Sequence, residues 1–184
     1  MTNVLPSGIE RWRPAWIFAG QVHSSQTMLG GSANYLTHLG DVTMEIISTH
    51  LRSPLEDLDL AVQCAILHDT MEDQGITHAE LSTRFGASVA DGVLALSKSN
   101  ELPYAERMKD SIARIRQQPA AVWCVKLADR ISNLHSAPNA WTAEKIEFYR
   151  MEAITILDAL HPANRVLASR LEMLIASYPN FLPS

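Results

Sequence analysis

The stretch Ala65-Ile66-Leu67-His68-Asp69-Thr70-Met71-Glu72-Asp73 constrains this chain more than any other. An apolar run fit for burial ends in a His-Asp pair, and an acidic pair follows one helical turn later. In a continuous helix residues four apart stack, so His68 pairs with Glu72 and Asp69 with Asp73. Three carboxylates crowded at one helix end repel one another unless a cation offsets their charge. The pattern calls for a metal site with catalytic acids beside it.

The remainder of the chain reads as the scaffold for such a site. At 184 residues it fits a single domain, with a core spanning about residues 14–177. Residues 1–12 carry no pattern and read as an extended lead-in. Pro14 fits the first turn of a helix to about Gln26, with Trp16, Ala19, Val22 and His23 at helical spacing. Thr27 to Asn34, with Gly30-Gly31, reads as a loop. A second helix has Tyr35, His38, Val42 and Ile46, extending to Leu51, on its inner face, and Ser53-Pro54 ends it.

The third helix runs from about Glu56 to Met71 and delivers the opening motif, with Gln74-Gly75 as its stop. Thr77-His78-Ala79-Glu80 has capping-box form and starts a short helix ending before Gly86. Further helices are expected at about 88–98, 103–117, 119–134, 142–159 and 164–177. The apolar density around Trp123-Cys124-Val125 makes the 119–134 helix central. No alternating strand pattern appears, so the expected fold is an all-α single-domain helical bundle.

The net charge of −5 argues against nucleic-acid binding and against a membrane surface. No segment approaches the roughly 20 apolar residues of a membrane span. Cys64 and Cys124, each in an apolar helical pattern, suit buried free thiols of a reducing, cytoplasmic compartment.

His68 and Asp69 supply two metal ligands, and imidazole with carboxylate suits an octahedral cation such as Mn²⁺. Asp129 lies in a core-quality helix, where an unpaired carboxylate is costly. It reads either as a third ligand or as the partner of Arg130 or Lys126. Asn133 is one turn further on the same face, placed to orient a ligand or a substrate. His38 reads either as a satisfied core histidine or as a ligand. His23 reads as core or as support for the site, while His50, His78, His135 and His161 read as surface or capping residues.

A first His, then His-Asp, then a distant Asp resembles the HD superfamily of metal-dependent phosphohydrolases. His68-Asp69-Thr70-Met71-Glu72-Asp73 resembles the HD-x-x-ED form of Rel/Spo-type alarmone hydrolase domains. Lys126-Leu127-Ala128-Asp129-Arg130-Ile131-Ser132-Asn133-Leu134 is similar to their K-L-A-D-R-x-x-N-L motif. Tyr35-Leu36-Thr37-His38 matches their Y-x-x-H, with Gln26 at the usual upstream glutamine. The resemblance covers residues 15–160 and implies an HD-type bundle that removes the 3′-pyrophosphate of guanosine tetra- or pentaphosphate (ppGpp, pppGpp).

It implies one Mn²⁺ per chain on His38, His68, Asp69 and Asp129, with Glu72 and Asp73 as catalytic acids acting on water. The alternative for that pair is a solvated acidic helix end. Asn133, Lys145 and Tyr149 are the implied substrate contacts; the alternative for the last two is an amphipathic surface helix. The partner is a small phosphorylated nucleotide, and a homo-oligomer is compatible with the sequence without being specified by it.

One segment departs from the family pattern. Thr27-Met28-Leu29-Gly30-Gly31-Ser32-Ala33-Asn34 lacks the Arg-Lys pair that precedes Y-x-x-H in relatives, and Leu39 replaces the Pro after His38. Met28 can pack on a base but brings no charge or hydrogen-bond donor. Metal chemistry is therefore better supported than guanine specificity. The alternative substrates are ppApp, the 2′-phosphate of NADPH and a nucleoside monophosphate. A catalytically idle binding module is the third reading.

Overall fold

Two helices carry the architecture because they are buried along most of their length. The computed structural model describes residues 8–29, 31–138 and 140–178. In α3 (Leu58–Leu67) every residue from Leu60 to Leu67 is buried. In α8 (Ala120–Asn133) the buried run is unbroken from Cys124 to Ile131. A helix buried on nearly every side has to be enclosed by others. α1 (Gly8–Val22) and α2 (Leu36–Arg52) cover α3, while α2, α3 and α10 (Arg165–Ser177) cover α8.

The short α4 (Thr70–Gln74) follows α3, and α5 (His78–Phe85) pairs with α6 (Ala87–Leu96). α7 (Tyr104–Ile115) and α9 (Ala143–Leu160) complete ten α-helices among the described residues, with a 3-10 turn at His161–Ala163. The fold is all-α; the described residues hold one isolated bridge, Thr27 to Asn34, and no strand. None of these helices is long and apolar enough to cross a membrane. Cys64 and Cys124 are free and buried, and burial pushes both thiols up to about 12.

Several boundaries follow local chemistry. The Thr77 hydroxyl accepts from the Glu80 N–H at the start of α5, and Asn164 accepts from Val166 and Leu167 at the start of α10. Gly75, at φ +66°, ends α4 in the left-handed conformation that glycine adopts without a Cβ penalty. Gly92 lets α6 approach the core closely: a Cβ there would lie 2.7 Å from Cys64 Sγ and 3.1 Å from Val122 Cγ2.

Other expectations are corrected. α1 begins at Gly8, so residues 8–12 are helical, while residues 1–7 lie outside the described set. Pro14 sits inside α1, which ends at Val22, not near Gln26. Its first turns are anchored by Trp12 Nε1 donating to Asp59 Oδ1 at 2.9 Å and by an Arg11–Asp59 ion pair. Ala15, Phe18 and Ala19 form the buried face, and Trp16 is largely exposed. On α2 the inner face ends at Thr49, with Leu51 in solvent.

The most consequential correction is at the opening motif. α3 stops at Leu67, and His68-Asp69 form a break before α4. Asp69 has φ −99° and ψ 1°, the bridge region between helix and extended backbone. His68 therefore does not pair with Glu72; the acids are turned to other partners.

Residues 27–29 and 31–34 pair as a small hairpin. Met28 N–H donates to Ala33 O at 2.8 Å, and Tyr35 N–H closes the base on Gln26 O at 2.9 Å.

Candidate metal centre and active site

Three elements bring four potential ligands together. α2 presents His38 near its start, the α3–α4 break presents His68 and Asp69, and α8 presents Asp129. His38 Nε2 and His68 Nε2 face each other at 3.2 Å. Asp69 Oδ2 is 3.0 Å from His68 Nε2 and 3.7 Å from His38 Nε2. Asp129 Oδ1 lies 3.5 and 3.9 Å from the same two nitrogens. One ligand atom each from His38, His68 and Asp69 falls within 4.8 Å of the others.

The hydrogen bonds behind the rings define what faces the centre. His68 Nδ1 lies 2.8 Å from Ala65 O, which can only accept, so Nδ1 carries the hydrogen. Ser132 Oγ donates to Asp41 Oδ2 at 2.6 Å, so its oxygen is left to accept from His38 Nδ1 at 3.1 Å. When neutral, both rings present bare Nε2 lone pairs toward two carboxylates. Four acceptors converge without a donor among them. Only protons or a cation can occupy that point, and imidazoles held from behind in this way suit a divalent cation.

The charges respond to this crowding. Burial works against ionisation of Asp129, but Lys126, His38 and His68 hold its carboxyl well below the usual range. Burial opposes the charge on Asp69 too, and the contact with His68 overrides it and lowers the carboxyl. Lys126 Nζ reaches Asp129 Oδ2 at 2.9 Å, and Asn133 donates to Oδ1 at 2.6 Å. The Lys126 pairing that was an alternative to ligation is present, and it leaves Oδ1 turned to the imidazoles. The phenol of Tyr35 donates to Asp69 Oδ2 at 2.5 Å.

Glu72 and Asp73 line the adjoining cavity, about 340 Å³, together with His38, Asp69 and Asp129. Glu72 is fixed by Lys98, whose backbone N–H donates to Oε2 at 2.8 Å and whose Nζ is 3.5 Å from Oε1. Asp73 Oδ2 accepts from Gln26 at 2.7 Å, and no hydrogen bond reaches its Oδ1 among the described residues. Burial and the nearby charge of Asp69 raise the Asp73 carboxyl. A larger groove of about 730 Å³ runs along α1 beside Arg84 and Phe85. It contains neither imidazole nor paired carboxylates, so the smaller cavity is the chemical one.

Asn133, Lys145 and Tyr149 line that cavity. Lys145 Nζ bonds to Tyr104 Oη at 2.9 Å and lies 5.5 Å from the Trp141 and Phe148 rings. Tyr149 carries the Arg130 guanidinium 3.9 Å from its ring centre and meets Trp141 edge-on at 5.0 Å. Lys98, Ser132, Asp41 and the Tyr35 phenol are parts of the site that sequence reading missed. Each lies far in sequence from the group it holds; Tyr35 and Ser132 sat in motif segments, and Lys98 and Asp41 in none.

The pattern of the HD domain matches residues 15–166. A guanosine-3′,5′-bis(diphosphate) 3′-pyrophosphohydrolase, MESH1 of Danio rerio, is 30% identical over 148 residues, covering 78% of this chain and 74% of that protein. A Vibrio cholerae protein of the same enzyme name is 33% identical over 134 residues, covering 70% of this chain but 18% of that longer protein. A solved structure of a metazoan ortholog of SpoT that hydrolyzes ppGpp shares the fold, with a TM-score of 0.81 at 23% identity. It covers 95% of this chain and 97% of that one.

Proposed function

The chain belongs to the HD-domain family, and from that premise we propose that it hydrolyses the 3′-pyrophosphate of ppGpp and pppGpp with a divalent cation bound. The observation that carries this reading is the convergence of two bare imidazole nitrogens and two carboxylates beside a second acidic pair. His38, His68, Asp69 and Asp129 hold the cation, and Mn²⁺ fits their mixture of nitrogen and oxygen donors. When bound, such an ion supplies Lewis acidity, lowering the pKa of water and neutralising phosphate charge.

The chain's own groups do the rest. Asp73, with one oxygen free, takes the proton of the attacking water, and Glu72, fixed by Lys98, orients that water. Water oxygen bonds to phosphorus as the bond from phosphorus to the ribose 3′-oxygen breaks. The 3′-oxygen takes up a proton, and pyrophosphate leaves. Lys98 and Lys145 place positive charge along the cavity against the substrate's phosphates. Asn133 orients Asp129 and borders the nucleotide, and Tyr149 packs at its far side. The two unpaired buried thiols fit a reducing cytoplasm.

A second reading is favoured by the hairpin, which brings Met28 and Leu29 to the cavity and no cationic side chain. Such a wall does not select guanine, which leaves ppApp or NADPH as substrates for the same chemistry. A release screen with Mn²⁺ over ppGpp, pppGpp, ppApp, NADPH and nucleoside monophosphates separates the readings. Pyrophosphate from the guanosine alarmones supports the first, and orthophosphate from NADPH the second. Silence across the panel with metal bound leaves an idle binding module.

A further inference from the structure

Gln26, in the segment that follows α1, is neither one of the four candidate ligands nor a residue lining the cavity, yet it is bonded on both ends of its amide. Its Oε1 lies 2.7 Å from His23 Nδ1 and accepts from Gln74 Nε2 at 2.5 Å. Its Nε2 donates to Asp73 Oδ2 at 2.7 Å. Turned end for end, the amide would set its oxygen against an ionised carboxylate and its NH₂ against that of Gln74. One orientation satisfies all three contacts while Asp73 is charged.

The lock extends outward. His23 is fully buried, and its Nε2 has no partner among the described residues, so the ring nitrogen seen to be bonded is the Nδ1 that faces Gln26. The His23 ring stacks on Tyr35 at 5.3 Å between centroids. Tyr35 is the residue that bonds Asp69, and its backbone N–H is bonded to Gln26 O. The carboxylate torsion of an Asp is intrinsically broad, so a donor on one oxygen is what defines the direction of the other.

We infer that Gln26 is a positioning residue: it pins Oδ2 of Asp73 so that Oδ1 is presented to the attacking water. His23 and Gln74 act through Gln26 by fixing which end of the amide faces Asp73. The inference rests on the hydrolase reading, in which Asp73 accepts the water's proton.

The test compares Mn²⁺-loaded wild type with Gln26→Leu, which removes the donor, and Gln26→Glu, which keeps the size and replaces the donor with a carboxylate. Kinetics, metal content and crystal structures are measured for each. In either variant kcat falls about 10- to 100-fold, KM stays within about twofold, and metal content is unchanged. In the crystals Asp73 leaves its wild-type rotamer while His38, His68, Asp69 and Asp129 superpose. If Gln26→Leu does not fold, Gln26→Glu decides alone. An unchanged kcat, a raised KM with kcat intact, or an unmoved Asp73 overturns the inference. If wild type turns over nothing in the substrate panel, the hydrolase reading fails, and the position of Asp73 in the crystals still decides whether Gln26 sets it.

Discussion

The phenol of Tyr35 donates to Asp69 Oδ2 at 2.5 Å, joining the entrance of α2 to the break between α3 and α4. Burial and the adjacent Asp69 both raise the phenol's pKa, so it stays a donor at any working pH. Tyr35→Phe keeps the ring on His23 and deletes this bond. Removing such a support behind a ligand typically weakens metal affinity about 10- to 100-fold. Titration of Mn²⁺ into metal-free wild type and variant measures it; equal affinities would show that Asp69 needs no support.

Without a cation, the converging acceptors depend on protons. Burial alone would lower the His68 imidazolium pKa, but Asp69 and Asp129 outweigh it and raise it to about 9. In metal-free protein the charged ring therefore contributes stability fully present below its ordinary value of 6.5 and lost as pH rises through about 9. A metal binds the unprotonated ring, so metal binding tightens with pH across the same window. Thermal unfolding with EDTA and with Mn²⁺ should show a gap in Tm that widens from pH 6.5 to 9. EDTA should abolish turnover, and Mn²⁺ should restore it best among divalent ions.

Glu72→Gln with Asp73→Asn keeps shape and removes both charges. The variant should retain one metal ion per chain and lose turnover by about 10²-fold or more. Pyrophosphate release at the wild-type rate from a metal-loaded double variant would refute the assignment of these acids.

Lys126 and Asp129 are both buried, so each charge depends on the other. Lys126→Met strands the carboxylate, and breaking a buried pair in this way costs about 3–5 kcal/mol. A cation on Asp129 offsets part of that loss. Urea unfolding of the variant should therefore show a larger stabilisation by Mn²⁺ than wild type does.

Gly92→Ala pushes a methyl group to within 2.7 Å of Cys64 Sγ. Overpacking of this kind costs about 1–3 kcal/mol. Cys64→Ala vacates the sulfur's position, so the double variant should be more stable than the sum of the two losses. A double-mutant cycle in urea would read a coupling of about 0.5–3 kcal/mol; strict additivity would place the strain elsewhere.

What could be read from the chain was whatever recurs at short range. The apolar runs of α3 and of the first half of α8, and the caps at Thr77 and Gly75, are local signals. The break at His68-Asp69 was not legible, because the apolar spacing runs through it and His68 itself keeps nearly helical angles, φ −56° and ψ −32°. The start of α1 was hidden because Asp59 on another helix anchors it. Among site residues, the candidate ligands and the acidic pair came in motifs. Their supports come from distant positions that no local spacing links to them: Lys98 lies 26 positions from Glu72, and Ser132 lies 94 from His38.

The hairpin of residues 27–29 and 31–34 is tied to the protein at its base, where Gln26 bonds to Tyr35, and those two residues also grip Asp73 and Asp69. Its outer part, with Met28 and Leu29, meets the cavity without holding any ligand or acid. Innovation and inheritance are thereby assigned to different atoms. On the proposed reading, exchanging the outer residues changes which base is welcome and leaves the residues that hold Asp69 and Asp73 in place. A library confined to residues 28–33 would make that exchange in the laboratory.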